Sequence, residues 1–284
     1  MKHTIQNHPI HGQMLFVDNG IIEAGIPLEF GLRIGHFSFC GGKNVFFEHP
    51  KDMTDFTTDE GWRLHGGHRL WLAPESVKDY CPDNRPIAYR FEGDSLVLTQ
   101  PEDPILKIIK EISLTFDGAK LQVKHRVTNT ADVPLECSLW GITTVAPGGT
   151  EIINFQRRDG GYDPWHRISM WDYTSLGDPR VTYTRDQIVI RHQPLEDRYK
   201  IGVGHPCGPV RYENGDTVFV KHFPVYTDKL YPDANVSFET FCSKYMLEIE
   251  SLSPLGTILP GDSMDYTEVW ELLHNSENER TDKL

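Results

Sequence analysis

The segment 120–129 reads KLQVKHRVTN, and apolar and polar side chains alternate along it. Leu121, Val123 and Val127 share one face with His125, whereas lysine, glutamine and arginine side chains occupy the other face. This period of two residues is typical of a β-strand that is buried on one face and solvated on the other. The segment therefore predicts a half-buried strand near the middle of the chain.

Outward from this segment, runs rich in β-branched and aromatic residues recur, and 24 glycines and 19 prolines separate them. No window of about 12 residues keeps a helical apolar stripe, so a short turn at Pro74–Asp79 is the best helix candidate. This rhythm predicts an all-β fold, a large antiparallel β-sandwich, as one domain over residues 1–273 with a flexible tail at 274–284. Further strands are predicted at Phe30–Phe39, Ala88–Leu98, Lys107–Thr115, Glu136–Val145, Val181–Thr184, Ile188–Arg191, Tyr199–Val203, Val218–Phe223, Asn235–Phe241, Tyr245–Leu252 and Met264–Leu272.

Composition excludes several classes of function. The 28 Lys and Arg residues against 41 Asp and Glu residues give a formal charge of -13, which disfavours nucleic acid and anionic membranes as partners. The five cysteines never form a CxxC spacing, and no stretch of about 18–20 apolar residues or secretory leader is present. We therefore expect a cytoplasmic protein with reduced cysteines, and leave its oligomeric state open.

The densest group of chemically versatile side chains is the segment 64–71, LHGGHRLW. Two glycines let a backbone pass close to a ligand, and His65, His68, Arg69 and Trp71 flank them. Such a loop suits a polyhydroxylated ligand, although a glycine turn beside a buried tryptophan explains it equally well. A metal site is not predicted here, because two histidines three residues apart without an acidic ligand are an incomplete set.

Two further groups contain candidate residues. In the segment 246–254, Leu247 and Ile249 share one face of a predicted strand, and Glu248 and Glu250 share the other. A neighbouring carboxylate or partial burial raises the pKa of a carboxyl group towards the range useful for a general base. The second group places charged residues among aromatic ones, as sugar sites commonly do, although core packing also explains the aromatic residues. Its charged members are Lys221, Asp233 and Glu239.

Leu-His-Gly-Gly at 64–67, Ile-Glu-Ser at 249–251 and Leu-Pro-Gly at 259–261 together resemble the galactose mutarotase-like superfamily, the aldose 1-epimerases and their relatives. The resemblance covers nearly the whole chain. It is closest to an uncharacterised bacterial branch, through Gly-Leu-Arg-Ile at 31–34, Gly-Gly-His-Arg-Leu-Trp at 66–71 and Tyr-Pro-Asp at 231–233. It implies a β-supersandwich with a sugar site on the open concave sheet.

The resemblance also implies catalytic roles. In aldose 1-epimerases a glutamate removes the proton of the anomeric hydroxyl and a histidine protonates the ring oxygen, so that the ring opens and recloses as the other anomer. The glutamate falls on Glu250, with Glu248 as the fallback, and the histidine of Leu-His-Gly-Gly falls on His65. Trp140 occupies the place of the usual acidic histidine and cannot supply an acidic proton, which leaves His65 or His68 as the acid.

The sequence thus predicts a carbohydrate-binding isomerase that interconverts sugar anomers, with a small-molecule sugar as its partner. No nucleotide, P-loop, hydrolase-elbow or zincin motif occurs, so no cofactor is expected. A carbohydrate-binding protein without catalysis, or an epimerase for an acidic or phosphorylated sugar, remains an alternative. The predicted catalytic residues are Glu250, His65 and His68, and the predicted substrate-binding residues are Arg33, Arg69, Trp71, Trp140, Lys221, Asp233, Glu239 and Glu248.

Overall fold

The computed structural model describes residues 1–155, 162 and 164–275, and strands are their main regular secondary structure. The strands, in chain order, are β1 (Lys2–His8), β2 (Gly12–Asp18), β3 (Ile22–Pro27), β4 (Arg33–Ile34), β5 (His36–Phe39), β6 (Gly67–Ala73), β7 (Ala88–Glu92), β8 (Ser95–Thr99), β9 (Ile108–Asp117), β10 (Lys120–Asn129), β11 (Leu135–Val145), β12 (Thr150–Asn154), β13 (Arg167–Met170), β14 (Val181–Tyr183), β15 (Gln187–Arg191), β16 (Tyr199–Gly204), β17 (Val210–Asn214), β18 (Thr217–His222), β19 (Phe238–Cys242), β20 (Leu247–Leu252), β21 (Gly256–Ile258) and β22 (Ser263–His274).

Helical structure is confined to two short pieces of the described chain. A 3₁₀ helix covers Val77–Tyr80, close to the predicted turn, and the hydroxyl oxygen of Ser76 caps it by accepting a hydrogen bond from the backbone N–H of Lys78. The other piece, Pro232–Asn235, is a single turn whose last three residues have positive φ. Across the described ranges, no helix has the length and apolar character needed to cross a membrane.

The strands form three antiparallel sheets. The ten-stranded sheet has the order β14-β15-β12-β17-β18-β22-β10-β9-β8-β7, and the four-stranded sheet has the order β1-β2-β3-β5. The eight-stranded sheet has the order β13-β16-β19-β20-β11-β6-β4, with β21 paired to the start of β11. Leu121 and Val123 of β10 belong to the same buried cluster as Leu247 and Ile249 of β20, so the main core lies between the two large sheets.

Strand alternation gives the eight-stranded sheet two different faces. On β20, Leu247 and Ile249 point into the main core, whereas Glu248 and Glu250 point to the opposite face, as predicted. On β6, Leu70 packs in the main core and Arg69 lines a cavity on the opposite face. We call this opposite side of the eight-stranded sheet the pocket face.

The predicted all-β fold is confirmed, and most predicted strands occur within a residue or two of their predicted ends. One predicted strand, 88–98, is a hairpin that turns at Gly93, which has a φ of 57°. The predicted strand 30–39 is two short strands, β4 and β5, which belong to different sheets. Another, 235–241, begins only at Phe238 because the left-handed turn precedes it. Several strands were not predicted: β1, β2, β3, β6, β12, β13, β17 and β21. The last strand ends at His274, and the predicted tail lies from residue 276 onward outside the described residues, so the domain boundaries stay a prediction.

Lys221 does not contribute to a pocket, which corrects its predicted role in sugar binding. Its side chain is fully buried between the two large sheets. The ammonium donates hydrogen bonds to the carbonyl oxygens of Gly141 at 2.7 Å and Ile249 at 3.0 Å, and it lies 3.3 Å from a carboxylate oxygen of Glu268. Lys221 therefore connects the two sheets through an ammonium group that has hydrogen-bond and ionic partners. A charge buried in an apolar core requires such partners.

Replacing Lys221 should destabilise the protein strongly. Lys221→Met leaves the carboxylate of Glu268 buried without its cation, and breaking a buried ion pair in this way typically costs about 3–5 kcal/mol of unfolding free energy. Lys124→Met is the matched control, because Lys124 pairs with Asp265 at 2.8 Å on the surface, where such pairs contribute about 1 kcal/mol or less. Urea unfolding measures both variants, and equal losses would contradict the buried link.

Candidate functional site

Two adjoining cavities open on the pocket face of the eight-stranded sheet. The aromatic pocket has a volume of about 320 Å³, and the acidic cavity beside it has about 360 Å³. They share Glu75, Tyr80 and Trp140. The aromatic pocket is lined by Phe56, Thr57, Thr58, Trp62, Leu64, Arg69, Trp71, Glu75, Tyr80, Trp140, Tyr173, Arg198, Lys200, Phe241, Met246 and Glu248. The acidic cavity is lined by Pro74, Glu75, Ser76, Val77, Tyr80, Trp140, Trp171, Asp233 and Glu239.

A buried ion triad lies at the boundary between the two cavities. Lys200 of β16 places its ammonium 2.9 Å from a carboxyl oxygen of Glu239 and donates a hydrogen bond to Glu250 at 3.1 Å. The two glutamates face each other across the β19–β20 pair, which explains why one ammonium reaches both. The ammonium also lies 4.6 Å from the ring centre of Trp140 and 4.7 Å from that of Trp171. The triad is therefore held by strand register and by cation–π contacts.

One ammonium cannot neutralise two buried carboxylates. Burial raises the pKa of Glu250 to about 7 against the opposing effect of Lys200, and burial likewise raises the pKa of Glu239 well above its ordinary value. Burial alone would lower the pKa of Lys200, but the two carboxylates outweigh it and raise that pKa. The triad therefore holds an extra proton near neutral pH that the two coupled carboxyl groups share, and Glu239 is the member of the pair that lines a cavity.

The carboxyl oxygens of the triad retain unused hydrogen-bonding capacity. Both oxygens of Glu239 and Oε1 of Glu250 are buried without a hydrogen-bond partner, although Glu239 is in ionic contact with Lys200. Glu239 lines the acidic cavity, whereas Glu250 lies beneath Lys200 and lines neither cavity. Unpaired buried polar atoms are costly, and in native proteins they concentrate at functional sites.

A second ion pair shapes the wall of the aromatic pocket. Arg69 donates a hydrogen bond to Glu248 at 2.8 Å, and Thr144 donates to the same carboxylate oxygen at 2.9 Å. The guanidinium carbon of Arg69 lies 4.7 Å from the ring centre of Trp71. The structure thus brings six of the predicted substrate-binding residues together around the two cavities, namely Arg69, Trp71, Trp140, Asp233, Glu239 and Glu248.

His65 does not face the triad, contrary to the predicted opposition of a histidine and Glu250. Its ring stacks on Phe30 with 3.9 Å between ring centres, outside both cavities. Burial, together with the nearby Arg33 and Arg63 guanidinium groups, lowers the pKa of His65 to about 2. Arg33 is likewise buried away from the cavities, in an ion pair of 3.0 Å with Asp83.

His68 points into the main core, which does not fit the predicted role of general acid. Its Nε2 lies 2.7 Å from Nε2 of His125, and its Nδ1 lies 2.9 Å from the hydroxyl of Thr143. His125 also donates through Nδ1 to the carbonyl of Tyr266 at 3.1 Å, so His68 is the donor in the contact between the two rings. Among the residues that the structure describes, no histidine lines either cavity.

Gly66 and Gly67, the two glycines that follow His65, are required for close backbone packing and not for contact with a ligand. A Cβ atom on Gly66 would lie 2.0 Å from the carbonyl oxygen of Phe47, and one on Gly67 would lie 2.3 Å from that of Ile34. Both residues also have positive φ. The Gly-Gly pair therefore allows β6 to pass close to neighbouring backbone, which corrects its predicted role of cradling a ligand.

Several pocket residues were missed in the sequence. Lys200 interrupts an otherwise apolar predicted strand, Tyr199–Val203, and a lone charge at such a position is a usable signal for a buried ion pair. Tyr80, Tyr173 and Arg198 belong to segments between strands. The local sequence of such a segment does not indicate which part of the sheet it packs against.

No known family model matches the chain, and no curated protein matches it. Among solved structures, a galactose mutarotase-like protein from Lactobacillus casei is 11% identical to this chain, with a TM-score of 0.60. The match covers 92% of this chain and 100% of that protein. A galactose mutarotase-like protein from Clostridium acetobutylicum is 10% identical with a TM-score of 0.57, covering 96% and 99%. A TPR-domain containing protein from Parabacteroides distasonis is 13% identical with a TM-score of 0.61, covering 92% of this chain but 47% of its own. The predicted galactose mutarotase-like fold is thereby confirmed.

The raised pKa of Glu250 has a measurable consequence for stability. Between its unfolded pKa of 4.5 and its folded pKa of about 7, the folded state holds a proton that the unfolded state has lost, so this group's contribution to stability falls as pH rises. We expect the unfolding free energy of Glu250→Gln to rise relative to the unchanged protein across this window, by up to about 1.4 kcal/mol per pH unit.

Chemical denaturation at several pH values measures this difference. Titrating groups remote from Glu250 cancel because both proteins contain them, and the loss of the Glu250 charge lowers the pKa of Glu239, which changes the difference in the same direction. Glu60→Gln, at an exposed position, is the control and should show a difference that does not vary with pH. A pH-independent difference for Glu250→Gln as well would contradict the shared proton.

Proposed function

We propose that the protein binds a carbohydrate in the two cavities and interconverts its anomers with the protonated carboxyl group of Glu239. The observation that carries the proposal is the ion triad, in which Lys200 supplies a single positive charge for Glu239 and Glu250 at the boundary of the cavities. The galactose mutarotase-like fold supports the same conclusion, because the sugar site expected on such a fold lies on the open sheet face.

The walls of the aromatic pocket suit a sugar. Trp62, Trp71 and Trp140 line the pocket, and the C–H groups of a pyranose can pack against the parts of their rings that border it. Arg69 and Glu248 offer charged hydrogen-bonding partners for hydroxyl groups on the same wall. Apolar faces next to oriented polar groups are the usual composition of small-molecule sites.

A single protonated carboxyl group can supply both the acid and the base. In the proposed step Glu239 donates its proton to the ring oxygen while its other oxygen accepts the proton of the anomeric hydroxyl. The bond between the anomeric carbon and the ring oxygen breaks, an open-chain aldehyde forms, and Glu239 remains protonated. Rotation about the bond between C1 and C2, followed by the reverse step, gives the other anomer. The ring oxygen and the anomeric hydroxyl oxygen are both bonded to the anomeric carbon, so the two oxygens of one carboxyl group can reach both.

Glu250 and Lys200 act as positioning residues in this proposal. The negative charge of Glu250 raises the pKa of Glu239 beyond the effect of burial, and Lys200 holds both carboxyl groups in place. This assignment replaces the expected histidine, because His65 and His68 lie outside the cavities. It also gives Glu250, the expected base, an indirect role.

Glu239→Gln should reduce catalysed anomer exchange by about 10²–10⁴-fold, the usual contribution of general acid–base catalysis. NMR exchange spectroscopy across a panel of free sugars measures the rate. Glu250→Gln should move the alkaline limb of the pH–rate profile to lower pH, which a purely structural role would not do. Glu111→Gln, on the ten-stranded sheet away from the cavities, is the control. A rate for Glu239→Gln equal to that of the unchanged protein for every sugar would defeat the proposal.

Carbohydrate binding without catalysis is the second candidate. The side chains of Glu239 and Glu250 are each only 1% exposed, so a sugar stacked on Trp140 can bind without reaching them. In that case sugars stabilise the protein against heat by mass action, and the exchange rate equals the rate in buffer.

An anionic sugar is favoured over a neutral one by Arg198. This exposed residue lines the aromatic pocket beside Phe56, and among the described residues no carboxylate pairs with it. Lys200 and Arg69, the other cations of the aromatic pocket, are already paired.

We expect hexuronates or hexose phosphates to raise the melting temperature more than neutral hexoses at equal concentration, because a charge-assisted bond to Arg198 adds affinity. Arg198→Gln should weaken anionic sugars about tenfold and leave neutral sugars unchanged. Arg191→Gln, exposed on β15, is the control for net charge. Equal stabilisation by neutral and anionic sugars would contradict the role of Arg198.

A further inference from the structure

A group of two histidines and a glutamate lies at the turn between β1 and β2, away from both cavities. His8 ends β1, His11 lies three residues later in the turn, and their rings stack with 5.2 Å between centres. Glu48 approaches from a separate segment that forms a β-bridge with Gly66. One oxygen of Glu48 lies 3.4 Å from Nε2 of His8 and 3.2 Å from Nε2 of His11.

The polar atoms of this group are poorly satisfied. His11 is 3% exposed, and neither of its ring nitrogens has a hydrogen-bond partner. The same Glu48 oxygen is buried without one as well, although it is in ionic contact with both rings. A buried imidazole whose Nδ1 has no partner, and whose Nε2 has only the 3.2 Å contact with Glu48, costs free energy that a bound ligand would recover.

A comparable group in the core shows the contrast. His68, His125 and Glu268 also place three ligand atoms within 4.8 Å of one another. There, however, each ring nitrogen has a partner, and Glu268 accepts hydrogen bonds from Ser251 and Trp270. That group is complete without a ligand and is fully buried. The difference in hydrogen bonding, rather than residue composition, separates the two groups.

We propose that His8, His11 and Glu48 form a binding site for a divalent transition-metal cation of the Zn²⁺ class. Two imidazoles and one carboxylate are a ligand set that Zn²⁺ takes when it keeps a further position for water. In a tetrahedral site with bonds of about 2.1 Å, ligand atoms lie about 3.4 Å apart. The separations of 3.4 and 3.2 Å between the Glu48 oxygen and the two ring nitrogens match this spacing for two of the three ligand pairs, and all three ligand atoms lie within 4.8 Å of one another.

The surroundings allow a cation to enter. His8 and Glu48 are partly exposed, with side-chain exposures of 21% and 25%, whereas His11 forms the buried side of the site. Binding through Nε2 of His8 requires a proton on its Nδ1. This displaces two long contacts from the backbone N–H groups of Ile10 and His11, at 3.3 and 3.4 Å. Those contacts are weak, so little is lost compared with the three metal–ligand bonds that form.

Isothermal titration of the full chain with ZnCl₂, and with CoCl₂ monitored by visible absorption, tests the site. We expect one equivalent of cation to bind and the Co²⁺ form to show the intense bands of four-coordinate geometry. His11→Gln and Glu48→Gln should each weaken the affinity at least tenfold and abolish those bands. His222→Gln is the matched control, because His222 pairs with Glu271 at 3.5 Å without a second imidazole, and it should bind as the unchanged protein does.

Zn²⁺ should also raise the melting temperature of the unchanged protein, with no rise in either site variant. His8→Gln, at the partly exposed edge, provides a third variant should the buried substitution impair folding. Absence of one-equivalent binding, or binding that persists unchanged in Glu48→Gln and His8→Gln, would overturn the proposal and place any bound cation elsewhere on the acidic surface.

Discussion

The contact of the Lys200 ammonium with both Glu239 and Glu250 governs the chemistry of the pocket face. Two buried carboxylates and one cation leave a negative charge that an apolar environment tolerates poorly, so the group retains a proton near neutral pH. Strand register places the two carboxyl groups side by side, because the two glutamates are direct partners across β19 and β20. A weak acid is thereby held at the boundary of two cavities, in the pH range where acid–base catalysis is effective.

Lys221 and His68 on the core side of the eight-stranded sheet differ in hydrogen bonding from Glu239 and Trp140 on its pocket face. On the core side, Lys221 and His68 have partners for their polar atoms and join the two large sheets. On the pocket face, the carboxyl oxygens of Glu239 and the indole nitrogen of Trp140 remain without hydrogen-bond partners. Polar groups whose hydrogen bonds are all made stabilise a fold, whereas polar groups next to a cavity that lack hydrogen-bond partners provide contacts for a ligand.

Sequence patterns predicted the fold better than the site. Period-two alternation identified the central strands and placed Glu248 and Glu250 on the face opposite the core, because that pattern depends on local geometry alone. The pairing partner of Glu250 could not be predicted, since it depends on which strand lies alongside. His68 shows the same limit: a one-residue shift along β6 separates the pocket from the core, and the motif resemblance did not specify which face it occupies.

The central claim is that Glu239 and Glu250 share a proton beneath Lys200 near neutral pH. NMR of protein labelled with ¹³C at the glutamate side-chain carboxyl carbons, recorded from pH 3 to pH 9, tests it most directly, with Glu239→Gln and Glu250→Gln assigning the resonances. We expect two coupled carboxyl resonances that titrate near or above pH 7, each displaced when the other residue is replaced. Titration of both carboxyl groups below pH 5, in the range of exposed glutamates, would contradict the account.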